Sequence, residues 1–219
     1  METLREKAAP EQVGKGRVEA LSDGVFAIVV TLLVLEIKVP HVEAHGSIAE
    51  LAGALLALAP KFVSWVISFV TVCVIWVNHH RLFALMSRID NGLFWRNANL
   101  LLWTSFIPFP TALMGDYPGN RLAVSFYGLV MFLMALAFVL IRWHMLRHRD
   151  LMVPQADEAA FHAGTRFSIL MGPAAYALGA LLAWVSAPAA FVCYAAIAAY
   201  FVLPHASRQT PNPSERGRD

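Results

Sequence analysis

Charge is what this sequence has least of. Only 15% of its 219 residues are Asp, Glu, Lys or Arg, against roughly 25% in an ordinary soluble domain. Its 58% hydrophobic residues and mean hydropathy of +0.57 leave far more apolar surface than a soluble core of this size can hide. Cysteine is scarcer still. Cys73 and Cys193 both lie in apolar stretches without metal or redox spacing, which excludes a disulfide framework and a thiolate metal centre. Enzyme motifs are missing as well: there is no dinucleotide fingerprint, no P-loop and no nucleophile–base pairing. The chain is therefore read as a non-enzyme with neither cofactor nor metal.

The apolar residues fall into six long blocks, the arrangement expected where lipid is the solvent. Their approximate limits are 18–39, 48–80, 93–115, 122–143, 166–185 and 188–203. At 1.5 Å rise per residue a span needs about 20 residues. The sixth block is short, and only Ser186-Ala187-Pro188 separates it from the fifth, which reads as a tight helical hairpin. The expected fold is an all-α integral membrane protein. Residues 1–204 form its six-helix domain, and 205–219 form a disordered, Pro- and charge-rich tail.

The net charge of +2 and pI near 8.7 would suit nucleic acid or the loop bias of a membrane protein. Distribution decides between them. Fourteen of the 17 Lys and Arg residues fall on one side of the six-span arrangement, leaving only Lys38, Arg121 and a snorkelling Lys61 towards the other. The positive-inside rule then puts both termini in the cytoplasm of a multi-pass cell-membrane protein, and no nucleic-acid partner is expected. A signal peptide is excluded because the polar N-terminal stretch is too long. No small-residue cleavage site follows the first block either; Glu36-Ile37-Lys38-Val39-Pro40 does.

Polar residues inside these blocks carry the functional argument. Asp23 follows Arg17, Leu21 and Ser22 near the start of the first helix, about 7–8 Å inside its boundary. An ionisable group at that depth must face protein or water. Arg17 and Asp23 point to different faces, so their partners belong to other helices or subunits. A structural network and direct contact with ions both satisfy the pattern. Gly24, Ala27 and Thr31 form a small-residue stripe suited to close helix approach. Ile28, Leu32 and Leu35 form a bulky stripe, and periodicity does not separate lipid, core and pore as its surroundings. Glu36 lies at the outer end, as a cation attractor or a simple interfacial carboxylate. The second helix carries Ser64, Ser68 and Thr71, then Trp76, Asn78, His79 and His80. Neighbouring histidines on a helix diverge by about 100°, so they do not share a metal; a partner for Asp23 suits His79 better. Pro108 and Pro110 should kink or end the third helix. Ala175, Gly179 and Ala183 form a packing face on the fifth.

These motifs resemble a known family. R-x-x-x-L-S-D from Arg17 to Asp23, W-x-N-H-H-R-L-F from Trp76 to Phe83 and P-F-P-T-x-L-x-G-x-Y from Pro108 to Tyr117 are similar to those of the transmembrane protein 175 family of potassium channels. Leu21 stands where that family has Phe. The resemblance covers the first three helices by motif and the others by number, length and orientation.

It implies a homotetramer with the first helix around a central axis. Ile28, Leu32 and Leu35 would then form a hydrophobic constriction, with Ile28 narrowest, and Thr31 would help stabilise the permeating potassium ion. Arg17, Ser22 and Asp23 would lock to helices 2 and 3 through His79 and Asn78. No T-V-G-Y-G filter occurs, so potassium preference would rest on its easier dehydration in an apolar neck. The competing expectation is a proton pathway or proton-coupled carrier using Asp23 and His79. A membrane scaffold without transport is a third.

Overall fold

The computed structural model describes residues 14–42, 47–154 and 158–202, with the side chains of 158–171 and of 201–202 left out. The 205–219 tail, the basic residues before Gly14 and the side chain of Arg166 lie outside the described residues. Among the described residues every regular element is a helix, and there is no strand.

α1 (Lys15–Leu35) is followed by α2 (Ile48–Ala57) and α3 (Ala59–Ala84). The 48–80 block is thus carried by two helices. Pro60 sits in the first turn of α3, where a missing N–H costs nothing, and its ring is incompatible with a continuous helix through Leu58. At 10 residues, α2 is about 15 Å long on helical rise and buries none of its side chains. The third block is likewise divided, into α4 (Asn91–Phe106) and α5 (Pro108–Asp116). The break falls at Ile107, where the paired prolines place it.

α6 (Arg121–Arg147) opens on an Asn120 cap whose side chain accepts from the Leu122 N–H at 2.9 Å. A single 3₁₀ turn at residues 149–151 leads towards α7 (Glu158–Val185), and Ser186 alone separates α7 from α8 (Ala187–Val202). α1, α3 and α6 are long and apolar enough to cross a bilayer.

α6, α7 and α8 pack around one tyrosine. A Cβ on Gly128 would lie 2.2 Å from the Tyr194 hydroxyl, and one on Gly179 only 2.4 Å from its ring. The small-residue face on α7 therefore exists to seat Tyr194, whose hydroxyl donates to the Val124 carbonyl at 3.1 Å. Ser68 on α3 lies 2.7 Å from Thr111 on α5 and 3.2 Å from the Tyr127 hydroxyl on α6. This gives three helices one buried polar contact.

The helix ends that share a side with the start of α1 are tied through their loops. The Ser87 N–H donates to the Leu151 carbonyl and the Val153 N–H to the Leu85 carbonyl, at 2.8 and 3.0 Å. Lys15 Nζ reaches the Met86 carbonyl at 2.8 Å, which anchors the start of α1 to the same loop.

Candidate functional site: the two faces of the first helix

α1 has one buried half and one bare half. Val18, Ser22, Phe26, Val29 and Leu33 pack against α3, α4 and α5. Arg17, Leu21, Gly24, Ile28, Thr31 and Leu35 run down the centre of the other half, uncovered among the described residues, Ile28 59% and Leu35 60% exposed. Their alternating steps of four and three are those of a coiled-coil seam. Leu32 flanks this line, 41% exposed. Among the described residues no helix covers the Gly24–Ala27–Thr31 stripe; a Cβ on Gly24 would meet nothing within 4 Å.

The buried half is held by a chain of hydrogen bonds across three helices. Asn97 on α4 donates through Nδ2 to Ser22 Oγ at 3.0 Å. The Asn97 Oδ1 is 2.9 Å from His79 Nε2 on α3 and accepts its proton. Ser22 passes its own proton to the Val18 carbonyl at 2.8 Å. All three side chains are buried. The His79 ring stacks on Phe83 at 4.1 Å and meets Phe26 of α1 at 5.4 Å, so its orientation is fixed by packing on both sides.

Asp23 takes a different partner. It faces outward from the buried half and accepts from Trp76 Nε1 on α3 at 2.9 Å, while Trp76 stacks on His80. The expected Asp23–His79 pairing is not formed, and Asn78 does not take part in the network. Asn97 does so in its place. Sequence reasoning passed over Asn97 although the signal was there: a carboxamide two turns into an apolar helix must find partners. Arg17 and Leu21 stand on the bare half, without a side-chain partner among the described residues.

Thr31 donates to its own helix, to the Ile28 carbonyl at 2.8 Å, and leaves its oxygen lone pairs on the bare face. Glu36 caps the C-terminal end and lines a small cavity with Leu33, Lys61, Trp65, Thr111 and Gly115. In that cavity region Trp65 Nε1 is buried without a partner, and Lys61 pairs with Asp116. Among the described residues no group of three or more His, Cys, Asp or Glu side chains converges as a metal site.

This arrangement can be set beside known proteins. The family model described as the endosomal/lysosomal potassium channel TMEM175 matches residues 17–108, the stretch that holds every residue of the Ser22–Asn97–His79 chain. A potassium channel of Streptomyces collinus is 38% identical over 91% of this chain and 98% of its own length. The chain belongs to the TMEM175 family. A potassium channel of Chamaesiphon minutus is 40% identical over 89% of this chain and 97% of its own.

The crystal structure of a lysosomal potassium-selective channel TMEM175 homologue from the latter organism superposes with a TM-score of 0.75. That alignment is 36% identical and covers 86% of this chain and 96% of that one. The human endosomal/lysosomal proton channel TMEM175 is 37% identical over 45% of this chain, which is 20% of its own length. Family members are channels rather than enzymes, in agreement with the lack of catalytic motifs. Membership also makes the chain a membrane protein.

Proposed function

We propose that this protein is a potassium-preferring cation channel, in which the bare half of α1 from each of four copies encloses the permeation path. The observation that carries the reading is the uncovered seam Arg17–Leu21–Gly24–Ile28–Thr31–Leu35, set back to back with a face locked by Ser22, Asn97 and His79. Such a seam calls for copies of itself around an axis. One chain supplies a single such helix, so an assembly is needed to close a pore. The potassium channels of Streptomyces and Chamaesiphon, similar over nearly the whole chain, support potassium as the ion.

In this reading α1, α3, the α4–α5 pair, α6, α7 and α8 make six crossings, with both termini cytoplasmic as the Lys and Arg distribution requires. Rings of Ile28, Leu32 and Leu35 form the neck, and Thr31 oxygens stabilise a partly dehydrated ion beside it. Glu36 at the outer end raises the local cation concentration. Outward movement of α1 widens the neck and wets it. Asp23, held by Trp76, braces α1 against α3. The alternative of a proton relay through Asp23 and His79 has weaker support, because the two side chains bond to different partners.

Purified protein in liposomes should pass potassium in preference to sodium. Ile28→Asn should raise the flux and erode the preference, by placing a hydrated ring in the neck. Unchanged flux and selectivity in Ile28→Asn would remove Ile28 from the path. Proton-driven acidification without any potassium flux would favour the Asp23–His79 alternative.

A further inference from the structure

On the side where α1 begins, α6 ends in a histidine seated in a made-to-measure site. His144 is buried, and its Nε2 lies 3.0 and 2.9 Å from the two carboxylate oxygens of Asp90. Asp90 is the cap of α4, accepting from the Leu93 N–H at 2.6 Å through Oδ1. The imidazole fits only because residue 92 is glycine; a Cβ there would lie 2.7 Å from His144 Cε1. One carboxylate thus holds the first turn of α4 and the last turn of α6 together. Seven residues on, two helical turns along the same face, Asn97 holds Ser22 of α1. His144 is linked to the helix proposed to line the pore by two side-chain contacts, His144–Asp90 and Asn97–Ser22, joined along α4.

We propose that His144 and Asp90 form a proton-operated latch on the cytoplasmic side, which tightens when His144 is protonated and holds α4, and through Asn97 the helix α1, in its packed position. This rests on the channel reading above, in which opening requires α1 to move.

The groups facing the imidazole set the sign. Asp90 favours the imidazolium. Arg96, whose guanidinium donates to the Gly92 carbonyl over the same glycine, opposes it. The His148 ring lies tilted against His144, centroids 4.3 Å apart, and opposes it when charged. The neighbouring Arg88 and Asp150 pair with each other, and Arg147 lies over Trp143 at 3.7 Å. Partial burial pushes the Asp90 carboxyl up, but the Leu93 N–H and His144 outweigh it and hold the carboxyl below its ordinary value of 3.8. Asp90 therefore stays ionised throughout the range in which histidine titrates. Its contribution is present above its unfolded value and fails only in acid far below neutrality.

With an imidazolium at His144 the contact is an ion pair, and with a neutral imidazole it is an N–H···O bond. Acidification of the cytoplasm tightens the latch and reduces conduction; alkalinisation releases it.

The test is potassium current in inside-out patches, with the bath stepped from pH 8 to pH 6. Wild type should lose current by about two- to fivefold, the scale of a partly exposed ion pair. His144→Gln keeps a donor that cannot titrate, and Asp90→Asn keeps the helix cap without the charge. Both should flatten the response, whereas His148→Gln should retain it. A conducting wild type that ignores cytoplasmic pH overturns the latch and leaves the channel reading standing. So does a response that survives in His144→Gln.

If wild type carries no potassium current, the channel reading falls, and the latch is judged by melting of the purified protein. A rise in midpoint from pH 8 to pH 6 that exceeds the rise in His144→Gln supports it; equal rises overturn it.

Discussion

Asn97 is the residue on which two other helices depend, since its amide serves Ser22 of α1 at one end and His79 of α3 at the other. Asn97→Ala leaves the buried His79 Nε2 without its acceptor and takes a donor from Ser22, which keeps its bond to the Val18 carbonyl. A cost of about 1–3 kcal/mol is expected from desolvated polar groups, read as a lower thermal midpoint in detergent. Asn99→Ala, two positions on and outside the network, should change it by less than about 0.5 kcal/mol. Equal midpoints for the two variants would show that the amide does not brace α1. Trp76 works on the other side of the same helix by giving the Asp23 carboxylate its donor. Residue chemistry explains why Asp23 is tolerated at this depth: a carboxylate with an indole N–H and an uncovered side is neither buried nor unpaired.

Elements are joined here by small residues rather than large ones. Gly128 and Gly179 face the Tyr194 ring from two helices, and neither leaves room for a methyl group. Gly179→Ala should cost about 1–3 kcal/mol through overpacking, with Tyr194→Phe in the same chain recovering little, because ring carbons make that contact. Gly128→Ala differs: its Cβ would strike the Tyr194 hydroxyl, so removing that oxygen should recover part of the loss. Melting curves of the two double variants distinguish the sites.

The divided blocks belong to this scale too. Pro60, Pro108 and Pro110 are all visible in the sequence, yet only the last two, paired near the end of a block, signal a break there. Pro60 hid inside an unbroken apolar run, where hydropathy alone sees one span, and its backbone constraint decided otherwise.

For the whole molecule, the bare half of α1 is an exposed, mostly apolar helix face, uncovered among the described residues. Four copies are expected in native mass spectra of the protein in mild detergent. Leu35→Cys should cross-link between copies under mild oxidation, because a helix around a closed axis brings its own equivalents close. A monomer that nevertheless conducts would dismiss the four-copy pore. The latch at His144 acts at this scale, since it couples a loop-side proton to a helix it never touches, through the rigid length of α4.

Composition and the placement of Lys and Arg were enough to identify a membrane protein, because bilayer length and charge bias act on any chain regardless of its folded details. The motifs at Arg17–Asp23, Trp76–Phe83 and Pro108–Tyr117 were enough for the family, since each is a local pattern of residue types. Partners were another matter. Ser22 and Asn97 are 75 positions apart, and His79 and Asn97 are 18. Asp23 and His79 both looked free to pair, and the choice between Trp76 and His79 depended on how α3 is turned against α1. Only the packed helices set that rotation, because side chains three or four residues apart on one helix are neighbours by geometry, whereas neighbours across helices are chosen by which faces meet.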